Sequence, residues 1–368
     1  MKSVLFIFNH PPFYRVKFFN ELNKKMKVTA LFERKQNKDR LTSFYESENI
    51  SFEKVFIKGI NLGKENHFSF GIVRHLKKHQ YDLIVVQGWH TFSEMIALRY
   101  LKKHQIPYIF YINGGIIKEK ETRLKYKIKR YFIGGASYYF SPDLNSNKYL
   151  IHYGADEKVI FNYPYATITK SNVLANPLSV VDRALLRKKL KIDAKRMFVS
   201  VGQFIERKNL SLLIKYWTNR LEDEVLVLIG HGPLKKTYIN LIEKFNIANV
   251  MILDFMPSAE LFSYLQAADA FLFPTKEDIY GHVVNEAMSQ GLPVIASRHA
   301  NSALHLISNN INGLIINFDD FEEINFAIEK VLNNEHMREA AILTAKENTL
   351  EKMVDVHLKH LLKVSKEK

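Results

Sequence analysis

The chain has 368 residues, 47% hydrophobic and 25% charged, and no cysteine; this excludes a disulfide-stapled fold and thiolate chemistry and fits a reducing compartment. Its length favours two cores over one. The net charge of +15 is uneven: residues 1–165 hold 28 Lys and Arg against 14 Asp and Glu, residues 166–368 hold 25 against 24, so the first half is suited to an anionic partner.

The opening MKSVLFIFNHPP has an apolar run of five residues before Asn9, too short for a secretory leader, and predicts a first buried strand over Val4–Asn9. A helical pattern follows over Arg15–Lys25, then strands at Lys27–Phe32 and Val55–Ile57. Helix Ile72–His79, strand Leu83–Gln87, helix Phe92–Lys103 and strand Tyr108–Ile112 come next. A basic helix from about Lys118 to Phe132 and a strand at Ser137–Phe140 complete the half. Apolar strands separated by helices predict a parallel sheet covered on both faces.

From Pro164 to Asp193 the composition shifts to Thr, Ser, Asn and Pro, then to the helical run RALLRKKLKI, which reads as a linker and a first helix. Strands are predicted at Met197–Val201, Val225–Ile229, Val250–Leu253, Ala270–Phe273, Val294–Ala296 and Leu314–Ile316. Helices fall at Leu210–Asn219, Leu234–Phe245, Ala259–Ala267, Val283–Gln290, Glu322–Asn333 and Met337–Val364. The whole is α/β: two Rossmann-like, doubly wound domains, with the cleft between them as the default site. The expected boundaries are residues 1–165, a linker over 166–190 and a second domain over 191–344, with residues 345–368 returning to the first. No stretch reaches 18 uninterrupted apolar residues, so no membrane-spanning helix is expected.

The segment TKEDIYGHVVNEAMSQGLPVIAS carries Asp278 and Glu286 eight positions apart. Gly281 stands just before the predicted helix, where the amides of Gly281, His282 and Val283 form a ready anion site. Two acids flanking such a site suit a ligand with phosphate at its centre and hydroxyl-bearing sugars at both ends, as in a nucleotide sugar. The plain alternative is a capping Asp278 and a solvated Glu286. In VSVGQFIERKNL a strand ends at Gly202, and Arg207 and Lys208 stand together at the next helix start. A planar fork and a point charge suit a diphosphate, although a solvated basic pair is the alternative. GHGPL, with Gly230 and Gly232, permits a tight turn after a strand but lacks the third glycine of a dinucleotide fingerprint.

In this order the phrases VSVGQFIERKNL, IGHGPL, FLFPTKEDIYGHVVNEAMSQGLPVIAS and NGLII resemble the retaining family 4 glycosyltransferases of GT-B fold, over residues 197–316. The resemblance implies a donor site of Gly202, Arg207, Lys208, Gly230, Glu277, Asp278, Gly281, His282, Val283 and Glu286. Glu286 matches the second acid of the family's E-x7-E motif, on the ribose diol. Asp278 matches the first acid, on the transferred sugar, with Glu277 as a possible substitute. Arg207 and Lys208 match the basic pair on the donor diphosphate. Two departures stand out: the first acid is Asp, and NHPPFYRV replaces the glycine-rich loop after the first strand. In the first domain, YDLIVVQGWH and YIFYINGG resemble family strand ends that would bring His90, Asn113 and Gly114 to the cleft, with Asn113 where the family often has histidine. The implied activity is sugar transfer from a nucleotide sugar to a glycan or polyprenyl-diphosphate-linked acceptor, in cell-surface polysaccharide synthesis. It implies retention, no metal and no other cofactor, with the cations neutralising the leaving diphosphate.

Residues 118–130, KEKETRLKYKIKR, hold seven basic and two acidic residues. At helical spacing Lys120, Arg123, Lys127 and Arg130 form one stripe, beside Leu124, Ile128 and Tyr131. Such a helix suits an anionic bilayer, and predicts a protein held peripherally at the cytoplasmic face of the cell membrane; the alternative is that its apolar side packs on its own sheet. Rival functions are a nucleotide-sugar epimerase of GT-B-like fold and a basic nucleic-acid-binding protein. The second lacks any helix-turn-helix, RNP or zinc signature. A nicotinamide dehydrogenase is disfavoured because no strand runs into GxGxxG.

Overall fold

Short apolar runs bounded by turn residues settle as buried strands, and the amphipathic runs between them as covering helices. The structure is a computed structural model and describes residues 1–36, 45, 49–62 and 66–366. Two units are distinguished, Met1–Tyr165 with Leu350–Lys368, and Ala166–Thr349.

The first unit begins β1 (Ser3–Phe8), α1 (Phe13–Asn23), β2 (Lys27–Phe32), β3 (Glu53–Phe56), β4 (Ile60–Leu62) and β5 (Asn66–Phe68). It continues α2 (Gly71–Lys78), β6 (Leu83–Gln87), α3 (Phe92–Lys103), β7 (Ile109–Tyr111), α4 (Arg123–Ile133), β8 (Tyr138–Ser141), α5 (Leu144–His152) and β9 (Ile160–Asn162). Seven strands pair in the order β3-β2-β1-β6-β7-β8-β9, all parallel. The order reverses between β1 and β6, the place where ligands bind in such sheets. Leu5, Ile7, Ile84 and Val86 face α2 and α3 through Ile72, Ala97 and Leu101. Phe6 and Phe8 face the other way, onto Phe19 of α1 at 4.9 and 5.5 Å between ring centroids.

The hairpin of β4 and β5, helix α5 and strand β9 escape the sequence pattern. The strands have three residues each, too few to show a period, and α5 is polar and starts on a cap, Asp143 Oδ1 accepting from Ser146 N at 2.8 Å. The run Met337–Val364, expected as one helix, is two, broken at Asn348 and Thr349. There Asn285 Nδ2 donates to Asn348 O at 2.7 Å, and Thr349 is buried. The second piece, Leu350–Val364, lies in the first unit and inserts His357 among aromatic rings, 4.5 Å from Tyr163 and 4.9 Å from Phe18.

The second unit runs α6 (Val180–Lys189), β10 (Arg196–Val201), α7 (Leu210–Trp217), β11 (Glu224–Ile229), α8 (Lys235–Lys244), β12 (Val250–Leu253) and α9 (Ser258–Ala267). It ends β13 (Ala270–Phe273), α10 (Val283–Ser289), β14 (Val294–Ser297), α11 (Asn301–Leu306), β15 (Gly313–Ile316), α12 (Phe321–Leu332) and α13 (His336–Glu347). Its parallel sheet has the order β12-β11-β10-β13-β14-β15. Alternation along each strand divides the core. Phe198, Leu226, Leu228 and Leu272 meet α7, α8 and α12, while Met197, Val199, Val227 and Phe271 meet α9, α10, α11 and α13.

Residues 166–190, expected as a linker, lie within the second unit. Arg187 of α6 donates to Ala267 O at 2.8 Å and pairs with Asp269 at 2.9 Å; Arg183 pairs with Glu335 at 2.8 Å. A segment that neutralises the buried Asp269 carboxylate is part of the core's electrostatics, whatever its composition.

Candidate functional site

In the second unit the strand order reverses between β10 and β13, so the loops leaving these strands flank a crevice. After β10, Gly202 leads to the turn Glu206–Lys208 and to Asn209, which takes the left-handed region at φ 57° before α7. This loop is fastened to the one after β13. Lys276 N donates to Arg207 O at 2.7 Å, Thr275 Oγ1 donates to the same carbonyl at 3.0 Å, and Asn209 Nδ2 donates to Pro274 O at 3.3 Å. Arg207 Nη1 in turn donates to Glu277 O at 2.9 Å.

The fastening brings the basic pair onto one acid. The buried Lys208 Nζ pairs with Asp278 Oδ2, and Arg207 Nη1 lies 3.7 Å from the same oxygen. Lys208 Nζ also stands 4.8 Å from the centroid of the Phe273 ring. Gly281 abuts that ring: a Cβ there would lie 3.1 Å from Phe273 Cε1, and its φ of 93° disfavours any side chain. Asp278 is anchored through its own backbone, its N donating to His299 O at 2.8 Å. Glu277 contributes its carbonyl and leaves its side chain exposed.

Glu286 is the fourth residue of α10, which begins at Val283, directly after His282. Its half-buried carboxyl accepts from Thr167 Oγ1 at 3.1 Å. Burial pushes it above the usual carboxylate range, against the lowering effect of that hydrogen bond. Gly230 closes the back of the site. A Cβ there would stand 1.9 Å from Gly202 O, so only glycine lets the turn after β11 approach the loop that carries the basic pair.

In the first unit, His90 and Asn113 follow β6 and β7 at the carboxyl ends of the strands, with Gly114 next. His90 N donates to Glu94 Oε2 at 2.7 Å, and the His90 ring lies beside Gly88, whose φ is 69°. Asn113 Oδ1 accepts from Arg15 Nη2 at 3.2 Å. Two buried acids meet near His90: Thr91 Oγ1 donates to Glu33 Oε1 at 2.5 Å and Glu94 N donates to Thr91 Oγ1 at 3.1 Å. Burial pushes the Glu33 carboxyl up to about 7, and burial together with the neighbouring Glu33 raises Glu94 well above the normal range.

Helix α4 starts at Arg123 rather than Lys118, because Thr122 caps it, its side chain accepting from Lys125 N at 3.3 Å. Lys120 therefore precedes the helix and is not on its stripe, though it is exposed. Arg123, Lys127 and Arg130 are exposed along one side of α4, and Leu124 and Tyr131 beside them are 69% and 49% exposed. The stripe of Leu124, Ile128 and Tyr131 faces outward, while Tyr126, Phe132 and Ile133 pack on the core of the first unit. Lys129 turns inward as well, 2.5 Å from Glu121 and 3.0 Å from the Tyr153 hydroxyl. Among the described residues no helix is long and apolar enough to cross a membrane, and no group of three or more His, Asp or Glu side chains gathers to hold a metal ion.

Residues 182–348 match the family described as Glycosyl transferases group 1. They form a glycosyl transferases group 1 domain. An uncharacterized glycosyltransferase of Methanocaldococcus jannaschii is 26% identical over 163 residues, 44% of this chain and 42% of its own. The N-acetylgalactosamine-N,N'-diacetylbacillosaminyl-diphospho-undecaprenol 4-alpha-N-acetylgalactosaminyltransferase of Campylobacter jejuni is 26% identical over 146 residues, 39% of this chain and 40% of its own. The chain thus spans about two fifths of the length of these curated relatives. Among solved structures, HepE of Anabaena in complex with UDP superposes with a TM-score of 0.76 at 16% identity, over 99% of this chain and 100% of that one. The likeness shows the fold, α/β of the GT-B class.

Within the second unit, sequence reasoning missed Phe273 and Thr167. Phe273 sits in an apolar strand and reads as core. Thr167 stands 119 positions from Glu286, and no local pattern links them. In the first unit it missed Arg15, Glu33 and Glu94, each placed at the sheet's carboxyl end by topology alone.

Proposed function

We propose that the protein is a glycosyltransferase that moves a sugar from a nucleoside-diphosphate donor to a glycan or lipid-linked acceptor, with retention and without an essential metal. One observation carries this: Arg207 and Lys208 converge on Asp278 at the reversal point of the group 1 sheet, beside Gly281. Two fixed cations there suit a leaving diphosphate and supply the stabilisation of developing negative charge that a metal supplies elsewhere. Each such donor commonly contributes about 3 kcal/mol in the transition state.

Asp278, rather than the exposed Glu277, is the acid in this reading that orients Lys208 and meets the sugar. Glu286, half-buried on α10, takes the ribose diol. Gly281 and the amides of His282 and Val283 meet the phosphates. No side chain is assigned as nucleophile; the departing phosphate takes the acceptor hydroxyl's proton. The Campylobacter relative's name carries a diphospho-undecaprenol acceptor, which supports a lipid-linked acceptor here. The exposed basic and apolar stripes of α4 support docking on an anionic cytoplasmic membrane surface, at about 1 kcal/mol for each Lys or Arg near it.

The experiment is a screen of UDP-, GDP- and ADP-sugars by thermal shift, followed by transfer assays with the donor that stabilises. A cognate donor raises the melting temperature with the logarithm of its concentration, and the product keeps the donor's anomeric configuration. A donor isomerised without any acceptor would favour an epimerase and overturn the reading.

A further inference from the structure

A charge taken out of water is costly unless a counter-charge goes with it. Three buried arginines obey this: Arg183, Arg187 and Arg338 share Asp269 and Glu335 within 3.6 Å. Arg15 does not. It is 4% exposed, and among the described residues no carboxylate lies within ion-pair distance of it. Its Nη2 donates to Asn113 Oδ1, and its guanidinium lies 4.1 Å from the centroid of the Phe8 ring. Tyr111, whose ring centroid is 5.6 Å away, buries its hydroxyl beside Arg15 and Tyr163 and offers the guanidinium a neutral phenol, not a counter-charge.

The position is also that of a site. Arg15 is the third residue of α1, directly after β1, and Asn113 follows β7; both lie at the carboxyl end of the sheet near its reversal between β1 and β6. The positive end of an eleven-residue helix adds to the field there. Guanidinium, amide and phenol are all able to donate, and what the group lacks is an anionic acceptor.

We propose that Arg15, with Asn113, binds a phosphate or diphosphate group of a substrate. The proposal rests on the glycosyltransferase reading only for which phosphates are available: the donor's nucleoside diphosphate or a diphosphate on a lipid-linked acceptor. A purely structural arginine, held by its stacking on Phe8, is the competing account, and it makes no demand for an anion.

The test uses the whole 368-residue chain as wild type, Arg15→Gln and Asn113→Asp, titrated calorimetrically with inorganic pyrophosphate, UDP and farnesyl diphosphate, with melting curves in parallel. Asn113→Asp sets a carboxylate against Arg15 and so occupies the cation from within. It is expected to keep or raise the melting temperature while weakening pyrophosphate at one site at least tenfold, and Arg15→Gln to weaken it similarly. A matching loss for farnesyl diphosphate alone assigns the acceptor side, and for UDP alone the donor side. Should folded Asn113→Asp bind all three probes as the wild type does, or the wild type bind none, the proposal falls; Asn113→Asp decides even where Arg15→Gln does not fold. Protein that binds a diphosphate through Arg15 yet transfers no sugar would refute the transferase reading and leave this site standing.

Discussion

His357 provides a sharp test of how the helix Leu350–Val364 is held in the first unit. It is fully buried among Phe18, Tyr111, Phe140 and Tyr163, and its Nδ1 bonds the Met353 carbonyl at 2.7 Å. Burial pulls its pKa from 6.5 down to about 3. The folded protein therefore keeps this imidazole neutral where the unfolded chain protonates it. The stability it contributes is complete above pH 6.5 and is lost as pH falls toward 3. At pH 4.5 the unfolded state lies two pH units below its own pKa and the folded state is still neutral, so the loss is about 3 kcal/mol. The perturbation is His357→Phe, which keeps a ring in the aromatic nest but has nothing to protonate. Urea unfolding of both proteins at pH 7 and pH 4.5 gives the difference of differences. Glu33 and Glu94 act with the opposite sign, stabilising at low pH and less as pH rises, but they are common to both proteins and cancel. The variant should lose about 3 kcal/mol less on acidification than the wild type. Equal losses would mean that His357 is not held neutral, and the reasoning from burial would fail.

Gly230→Ala forces a Cβ to 1.9 Å from Gly202 O. The loop must move by more than 1 Å, with an expected cost of about 1–3 kcal/mol in urea unfolding and the loss of donor-induced thermal stabilisation. A variant as stable and as responsive as the wild type would show that the two turns do not constrain each other. Lys208→Ala and Glu286→Ala should each reduce transfer at least a hundredfold, about 3 kcal/mol, with folds intact by circular dichroism; near-normal turnover in either removes that residue from the site. Transfer should be undiminished in excess EDTA, and a strict metal requirement would refute the cation mechanism. Sedimentation with liposomes containing anionic lipid should fall sharply when Lys127 and Arg130 are replaced by Glu, and no dependence on anionic lipid at low salt would remove α4 from the membrane.

The parts of the structure that were readable in advance are those set by local pattern. Lys27–Phe32, Leu83–Gln87, Val250–Leu253 and Ala270–Phe273 are apolar runs flanked by turns, and each forms a strand with those limits. Phe92–Lys103 is likewise readable, because Thr91 and Glu94 close a capping box at its start. What escaped lacks such punctuation. Nothing like Gly or Pro marks the break at Asn348 and Thr349, and the apolar period runs on through it. The loops after β10 and β13 were legible as phrases, but the pairing of Lys208 with Asp278 joins residues 70 positions apart, which spacing cannot reveal. Spacing alone did not tell which apolar residues of α4 turn inward: Ile133, Tyr126 and Phe132 pack on the core, while Leu124 and Tyr131 are exposed.

The arginine cluster around Asp269 bears on how the second unit is to be produced by itself. A fragment starting at residue 191, where composition places the boundary, would discard Arg183 and Arg187. Asp269, buried and bonded to Met197 N at 2.8 Å, would keep only Arg338, 3.6 Å away. Stripping most of the neutralising charge from a desolvated carboxylate costs about 3–5 kcal/mol, a large share of the stability of a typical domain. Soluble expression of this half should therefore depend on cloning from Ala166, ahead of the first basic helix.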